Sequence, residues 1–315
     1  MADARSIILH EYPTSPYAEK IRMALRLKNL AWSRVEIPVT MPRPDLMPLT
    51  GGYRRTPVMQ IGADIYCDTA IILRELEARF PMPTLKLTGQ EGLAQMVAGW
   101  TDGRWFQSSV AVIFGELGDK IGEDFKKDRE QLSGRPFDVA AMKAIAPMMR
   151  DQWRARLMLL EERLQGGKGA GSGMFLMGTK PGLVDVHAYM NVWFMHQNLP
   201  DFLAKCFETA DLTQAWFERM REFEGQTPET ISSKEALEIA KHAAPRLVMA
   251  TTKYEPQDIA PGDMVAVAPD DYGQVWVEGE IVHADSQRVI LQRMSDEAET
   301  LHVHFPRAGF LVRRL

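Results

Sequence analysis

Cysteine is scarce in this chain, with only Cys67 and Cys206 among 315 residues. Neither lies in a Cys-x-x-Cys pair or has a nearby histidine companion, which excludes a disulfide framework and indicates a reducing compartment. Long apolar runs are also missing, because no stretch approaches the roughly 20 residues that a membrane span needs. The N-terminal segment MADARSIILHEY has too short an apolar part for a signal peptide. We therefore expect a cytoplasmic protein that does not bind a membrane.

An excess of positive charge is lacking as well. The chain has 37 Lys and Arg residues against 42 Asp and Glu, a net charge of -5, which argues against a nucleic-acid partner. Its 45% hydrophobic and 25% charged residues are ordinary for a globular protein. A length of 315 residues predicts two or three domains, each able to bury a core.

Residues 1–82 alternate between strand and helix patterns. The predicted order is strand, helix, strand, loop, strand, strand, helix, a compact α/β unit whose first two strands run parallel. The first helix follows Pro16 and is predicted to carry Glu19, Lys20 and Arg26 on its outer face. The segments concerned are SIILHEY, AWSRVEIPV, TPVMQIG and ADIYCD as strands, and PYAEKIRMALRL and DTAIILRELEARF as helices.

The pattern then changes twice. Residues 88–242 are predicted to be an all-α domain, interrupted by the flexible loop QGGKGAGSGM. A linker follows in AAPRLVMATTKYEPQDIAP, and residues 258–315 show period-two alternation with frequent turn residues. This pattern predicts about five short strands that form a small SH3-like β-barrel.

Ser15 stands between two prolines at the start of the first helix. Its hydroxyl can cap the helix, a use that Pro16 at the first helical position favours. Alternatively, the hydroxyl can face a bound anion such as a thiolate, because a helix N-terminus offers free N–H groups and partial positive charge. On this stretch alone, capping is the preferred interpretation.

Two further short motifs are expected at the same end of the sheet. Thr56-Pro57 opens a strand, and a cis bond there would turn the next backbone outward to pair with an extended peptide; an ordinary strand-edge proline is the alternative. Asp68-Thr69 begins the second helix, where N–H groups and a hydroxyl suit a carboxylate and Asp68 suits an ammonium group. A plain Asp cap is the alternative there.

The order and spacing of these motifs resemble those of the cytosolic glutathione transferases. SPYAEKIRMALRLKNL is similar to the catalytic helix of that family, especially of its omega class, which has cysteine where this chain has Ser15. RTPVMQIGADIYCDTAIILRELEARFP resembles the rest of the glutathione site, with Pro57 in the place of the cis-proline. The resemblance implies a thioredoxin-like N-terminal domain and a helical second domain, and it does not cover the C-terminal strands.

The resemblance also implies a function and a set of site residues. The chain would be a detoxifying glutathione transferase and a homodimer, with glutathione as co-substrate, a small hydrophobic electrophile and no metal. Ser15 would stabilise the thiolate, and a serine cannot form the mixed disulfide that reductase chemistry requires. The tripeptide and the apolar substrate would be bound by the following residues: Arg55 (or Arg54), Thr56, Pro57, Val58, Asp68 and Thr69 for glutathione, with Val58 pairing through its main chain, and Tyr12, Tyr17, Trp105 and Phe106 for the electrophile. Trp105 and Phe106 can equally be helix core.

Two observations leave alternatives open. In GTKPGLVDVHAY, Asp185 matches the capping motif of the family, but Gly182 stands where a hydroxyl residue is expected. His302 and His304 share one face of a predicted strand without an evident third metal ligand, so a packed pair is preferred over a metal site. The competing functional hypothesis is a non-catalytic protein of the same fold whose C-terminal barrel binds a partner.

Overall fold

The computed structural model describes residues 6–87, 89, 91–166, 173–249 and 259–315. The N-terminal part has the predicted order of strands and helices, with one additional short helix in the proline-rich loop. Its elements are β1 (Ile7–Glu11), α1 (Pro16–Leu27), β2 (Trp32–Glu36), α2 (Met47–Thr50), β3 (Val58–Ile61), β4 (Asp64–Cys67) and α3 (Thr69–Arg79). Strand β1 pairs parallel with β2 and antiparallel with β3, and β3 pairs antiparallel with β4, so a thioredoxin-like sheet is present.

The middle of the chain is helical, as predicted. Its helices are α4 (Glu91–Trp100), α5 (Phe106–Leu117), α6 (Glu123–Ser133), α7 (Val139–Gln165), α8 (Leu183–Asn198), α9 (Pro200–Phe207), α10 (Asp211–Arg221) and α11 (Ser233–Lys241). A π-helical turn, Thr101–Trp105, joins α4 to α5. The central part of the predicted glycine-rich loop, 167–172, and part of the predicted linker, 250–258, lie outside the described residues.

Helix α8 shows why glycine replaces the expected hydroxyl residue at its cap. The Asp185 carboxylate accepts a hydrogen bond from the Gly182 N–H at 2.9 Å, which is one half of a capping box. A Cβ atom on Gly182 would lie 3.1 Å from the Leu85 carbonyl oxygen and 3.2 Å from the Leu87 side chain. Close packing against this segment therefore leaves little room for a serine or threonine.

The C-terminal part contains the five predicted strands: β6 (Met264–Pro269), β7 (Val277–Ala284), β8 (Arg288–Ser295), β9 (Glu299–Pro306) and β10 (Phe310–Arg314). They form an antiparallel meander with β10 beside β6. Strand β9 also pairs parallel with β4, and the short β5 (Glu229–Thr230) pairs with β2, giving a continuous order of β10-β6-β7-β8-β9-β4-β3-β1-β2-β5. The strand content is thus confirmed, and closure into an SH3-like barrel stays a prediction.

The N-terminal sheet has a hydrophobic core on each face. Ile7 and Leu9 of β1 point to the helical region, while Ile8, between them, packs with the C-terminal strands and α11. Because both faces are covered, all five residues of β1 are buried. In the part of the chain that the structure describes, no helix has both the length and the apolar character needed to cross a membrane.

Candidate functional site

Strand register brings the three predicted motifs to one edge of the N-terminal sheet. His10 of β1 lies opposite Val58 of β3, and Val58 lies opposite Cys67 of β4. The chain leaves β1 toward Ser15, enters β3 from Thr56 and leaves β4 toward Asp68. Since β3 runs antiparallel to both neighbours, the segments that contain Ser15, Thr56 and Asp68 lie at the same edge of the sheet.

Ser15 is the N-cap of α1. Its Oγ accepts a hydrogen bond from the Ala18 N–H at 3.1 Å, and the residue is 2% exposed. Pro16 occupies the first helical position, where a missing N–H costs nothing. The cap uses a lone pair of the hydroxyl oxygen and leaves the O–H hydrogen unused, since no acceptor for it occurs among the described residues. Capping is therefore confirmed, and it does not exclude donation to an anion.

The Thr56–Pro57 peptide bond is cis. Val58, the first residue of β3, lies between β1 and β4 and is fully buried, so its backbone has no free sheet edge for a ligand. A peptide would have to compete with these strand partners for the Val58 main chain, and the expected pairing of Val58 with a peptide stays a prediction. Thr56 precedes the strand, and its N–H and carbonyl make no main-chain hydrogen bond within the described part of the chain. Arg43 donates to the Thr56 hydroxyl at 3.1 Å and to the Arg54 carbonyl at 2.8 Å, which holds this segment.

Asp68 caps α3 in a backbone conformation that non-glycine residues rarely adopt, with φ at 97°. Its Oδ1 accepts a hydrogen bond from the Ala70 N–H at 2.8 Å. Burial raises the pKa of the Asp68 carboxyl, and the Ala70 N–H together with the charges of Lys20 and Arg55 partly offset this rise. Thr69 follows, with its hydroxyl 3.5 Å from the Lys20 ammonium. The edge thus combines a carboxylate, a hydroxyl and a helix N-terminus.

Lys20 is a residue of this site that the sequence pattern placed wrongly. It was expected on the outer face of α1 with Glu19, but Lys20 is fully buried and Glu19 is 4% exposed. The Lys20 ammonium pairs with the Asp102 carboxylate at 2.6 Å, so it joins α1 to the π-helical turn. The helical region covers the face that would otherwise be exposed to solvent.

The two candidate arginines are both engaged elsewhere. Arg54 pairs with Asp128 of α6 at 2.5 Å. Arg55 pairs with Asp271, donates to the Tyr272 carbonyl and lies over the Tyr272 ring, with its guanidinium carbon 4.1 Å from the ring centroid. Asp271 and Tyr272 belong to the loop between β6 and β7, so the C-terminal region reaches the candidate site.

Tyr272 is electrostatically coupled to several site residues. The residue as a whole is 38% exposed, but desolvation around its phenol group raises the phenol pKa; Arg55 opposes this rise, and the charges of Asp68 and Tyr12 add to it. The pKa of Tyr17 is raised mainly by burial and further by Tyr272. Through its contacts with Arg55, which directly precedes Thr56, Tyr272 lies near this edge of the sheet, a placement that no local sequence pattern indicated.

The four aromatic residues proposed for an apolar pocket separate into different environments. The rings of Tyr17 and Phe106 make an edge contact with centroids 4.8 Å apart, and both are partly buried. Tyr12 packs against the core cluster that includes the C-terminal strands, and its hydroxyl accepts a hydrogen bond from the Arg129 guanidinium at 3.3 Å. Trp105 is fully buried and packs against Trp153 at 5.8 Å, in the helical core. Trp105 is thus a core residue and does not line an open pocket.

Comparisons with known proteins agree on the N-terminal fold. The profile of the family described as "Glutathione S-transferase, N-terminal domain" matches residues 9–84. The chain is similar to the solved structure of a GST-like protein from Pseudomonas syringae, with 34% identity, a TM-score of 0.80, and coverage of 99% of this chain and 100% of that one. That coverage includes the C-terminal strands. No match to a curated protein was found.

Two more distant structures support the fold alone. A glutathione transferase from Phanerochaete chrysosporium has 16% identity and a TM-score of 0.55, covering 70% of this chain and 98% of that one. FzlA from C. crescentus has 20% identity and a TM-score of 0.51, covering 69% and 88%.

Proposed function

Because this chain belongs to the glutathione S-transferase superfamily, we propose that it binds glutathione and activates its thiol for attack on a small hydrophobic electrophile. One observation carries the proposal: the strand register places Ser15, Thr56 and Asp68 at the same edge of the sheet. Helices α1 and α3 both begin at this edge, and the N-terminus of each helix favours a negatively charged ligand.

Ser15 is the residue proposed to stabilise the glutathione thiolate. A free thiol has a pKa near 8.5, so only a few per cent is ionised at neutral pH. The unused O–H of Ser15 and the positive end of α1 would lower that pKa. The thiolate then attacks an electrophilic carbon and a carbon–sulfur bond forms. With a halide substrate, the carbon–halogen bond breaks and the halide leaves with its bonding electrons. With an epoxide, the ring carbon–oxygen bond breaks and the oxygen takes up a proton.

The γ-glutamyl group is assigned to the start of α3. The Asp68 carboxylate would pair with its ammonium, while the Thr69 hydroxyl and the N–H groups of the first helical turn would bind its carboxylate. The main chain of Thr56, in place of Val58, is proposed to pair with the cysteinyl unit. Arg55 would reach the glycyl carboxylate only by sharing its guanidinium with Asp271, so we propose that its main role is to hold Tyr272.

The electrophile is proposed to bind beside Tyr17 and Phe106, with Tyr272 as an additional wall from the C-terminal strands. A homodimer, a cytoplasmic location and an SH3-like closure of β6–β10 belong to the same proposal, as do domain limits at 1–82, 88–242 and 258–315. The alternative of a separate partner-binding barrel is less well supported. Strand β9 is paired with β4, and Phe305 and Phe310 pack in the core shared with the N-terminal sheet.

Calorimetric titration of the protein with glutathione tests the proposal. Asp68→Ala removes a charged hydrogen-bond partner, worth about 1.5–3 kcal/mol, so we expect affinity to fall by roughly 10- to 150-fold. Asp138→Ala is a matched control, because Asp138 also caps a helix through a 2.8 Å bond to a backbone N–H. The control should retain full affinity. Absence of binding by the unaltered protein at millimolar glutathione would refute the proposal.

A further inference from the structure

Three buried metal-ligand side chains meet where the N-terminal sheet joins the C-terminal strands. Asp64 begins β4 and is paired in register with His302 of β9, and His304 follows two residues later on the same face of β9. Their exposed fractions are 3%, 7% and 4%. The third ligand that the histidine pair lacked in the sequence is therefore supplied by a residue more than 200 positions away.

The spacing of the three groups is close to that of a metal site. His304 Nε2 lies 2.8 Å from Asp64 Oδ1, and His302 Nδ1 lies 4.0 Å from the same oxygen. All three ligand atoms lie within 4.8 Å of one another. A tetrahedral ion with ligands at about 2.1 Å separates neighbouring ligand atoms by roughly 3.4 Å. Binding would therefore require the Asp64–His304 distance to lengthen, and the Asp64–His302 distance to shorten, by about 0.6 Å each.

A ring nitrogen of His302 without a hydrogen-bond partner is a second indication of a ligand at this cluster. The Nδ1 atom of His302 is buried and has no hydrogen-bond partner among the described residues. A buried unpaired nitrogen costs free energy, and this one faces a carboxylate oxygen at a distance too long for a hydrogen bond. A metal ion would give this nitrogen a partner, because the lone pair of an imidazole nitrogen is a good metal ligand.

The surrounding residues hold these ligands in place. The other oxygen of Asp64 accepts the Arg246 N–H at 2.9 Å and lies 3.9 Å from the Arg79 guanidinium, which is itself paired with Glu75 at 2.5 Å. The His304 ring stacks on Tyr66 with centroids 4.4 Å apart. Orientation of ligands by such outer contacts is typical of metal centres.

We propose that Asp64, His302 and His304 bind a divalent transition-metal ion, most suitably Zn²⁺, which fastens β9 to β4. Two imidazoles and one carboxylate are a donor set that zinc accepts, with one position left for water. The site is structural in this proposal, since it lies at the opposite end of β4 from Asp68.

Zinc binding by the untagged, chelator-treated full chain provides the test. Equilibrium dialysis against zinc sulfate followed by elemental analysis should find about one zinc per chain, and zinc should raise the thermal unfolding midpoint by mass action. His302→Ala and Asp64→Asn should each weaken binding at least tenfold. His283→Asn is the matched control: His283 is also buried in the C-terminal strands beside a carboxylate, Asp285 at 3.0 Å, and its replacement should leave zinc binding unchanged.

Cobalt(II) added to the unaltered chain gives a readout that does not depend on how the variants fold. Intense visible bands of four-coordinate cobalt, displaced by zinc, support the site. Weak bands of six-coordinate cobalt, a zinc content far below one per chain, or equal zinc binding by His302→Ala and the unaltered protein would each overturn the proposal.

Discussion

Two replacements of Ser15 should distinguish its role as the cap of α1 from its proposed role as a hydrogen-bond donor to the thiolate. Ser15→Ala removes both the lone pair that caps α1 and the O–H proposed to face the thiolate. Loss of the cap should cost about 1 kcal/mol of folding free energy. Loss of a hydrogen bond to an anion should cost about 1.5–3 kcal/mol of binding free energy, which corresponds to a rise of about 1–2 units in the pKa of the bound thiol.

Ser15→Gly distinguishes the two effects. Glycine is a tolerated N-cap and should reduce folding stability by only a few tenths of a kcal/mol. It has no O–H, so the pKa of bound glutathione should rise as far as in Ser15→Ala. A pH titration of the ultraviolet absorbance of the bound thiolate measures that pKa, and urea unfolding measures the stability.

Ser232→Ala is the control for capping. Ser232 caps α11 by accepting the Glu235 N–H at 3.1 Å, the same distance as in the Ser15 cap, and α11 is not one of the two helices that begin at the candidate site. This variant should lose comparable helix-cap stability and leave the thiol pKa unchanged. If Ser15→Gly also leaves that pKa unchanged, the Ser15 hydroxyl is not the donor to the thiolate.

Two further predictions concern stability. Burial lowers the pKa of His10 to about 4, although its hydrogen bond to Gln60 opposes this effect. Below the ordinary pKa of 6.5, the folded state therefore binds fewer protons than the unfolded state. The free energy of unfolding should then fall by roughly 3 kcal/mol as the pH falls from about 6.5 to 4. His10→Gln keeps a donor toward Gln60 and should remove this part of the fall, as urea unfolding near pH 7 and near pH 4 would show. Lys28→Met leaves the buried Glu77 carboxylate, now 2.6 Å from the lysine, without its cation and with hydrogen bonds from Thr84 and the Leu85 N–H alone, and it should cost about 3 kcal/mol in urea unfolding. The double variant with Glu77→Gln should recover part of this loss; no recovery would contradict the importance of the unpaired charge.

The N-terminal fold was predictable because its signals are local. Period-two and period-3.6 patterns, together with Gly and Pro at the turns, are sufficient to predict the order from β1 to α3 except for the four-residue α2. The outer face of α1 was predicted wrongly because an amphipathic pattern assumes that one side of a helix meets solvent. In this chain α1 is covered on a second side, where the buried Lys20 pairs with Asp102 of the π-helical turn, while Glu19 pairs with Arg22 and Arg26 of its own helix. The covering of that side and the Lys20 pair depend on tertiary contacts, which a local pattern does not show.

The candidate site was predictable to the extent that its residues belong to contiguous motifs. Ser15, Thr56 and Asp68 satisfy that condition. Tyr272 does not, because its contact with Arg55 spans 217 positions and depends on how the C-terminal strands dock. The sheet neighbours of Val58 were not predictable, because a sequence does not show that the positions on both sides of its strand are occupied.

The geometry of Ser15 changes how its two interpretations relate. Capping and thiolate binding compete only if both require the same part of the hydroxyl. The cap is a hydrogen bond that the oxygen accepts from Ala18, whereas stabilisation of an anion is a hydrogen bond that the hydroxyl donates. The cap in fact fixes the oxygen at the end of α1, and this leaves the O–H as the freely rotating donor. A residue that is structurally a cap is thus already positioned, without any change of rotamer, to serve a ligand at the same helix end.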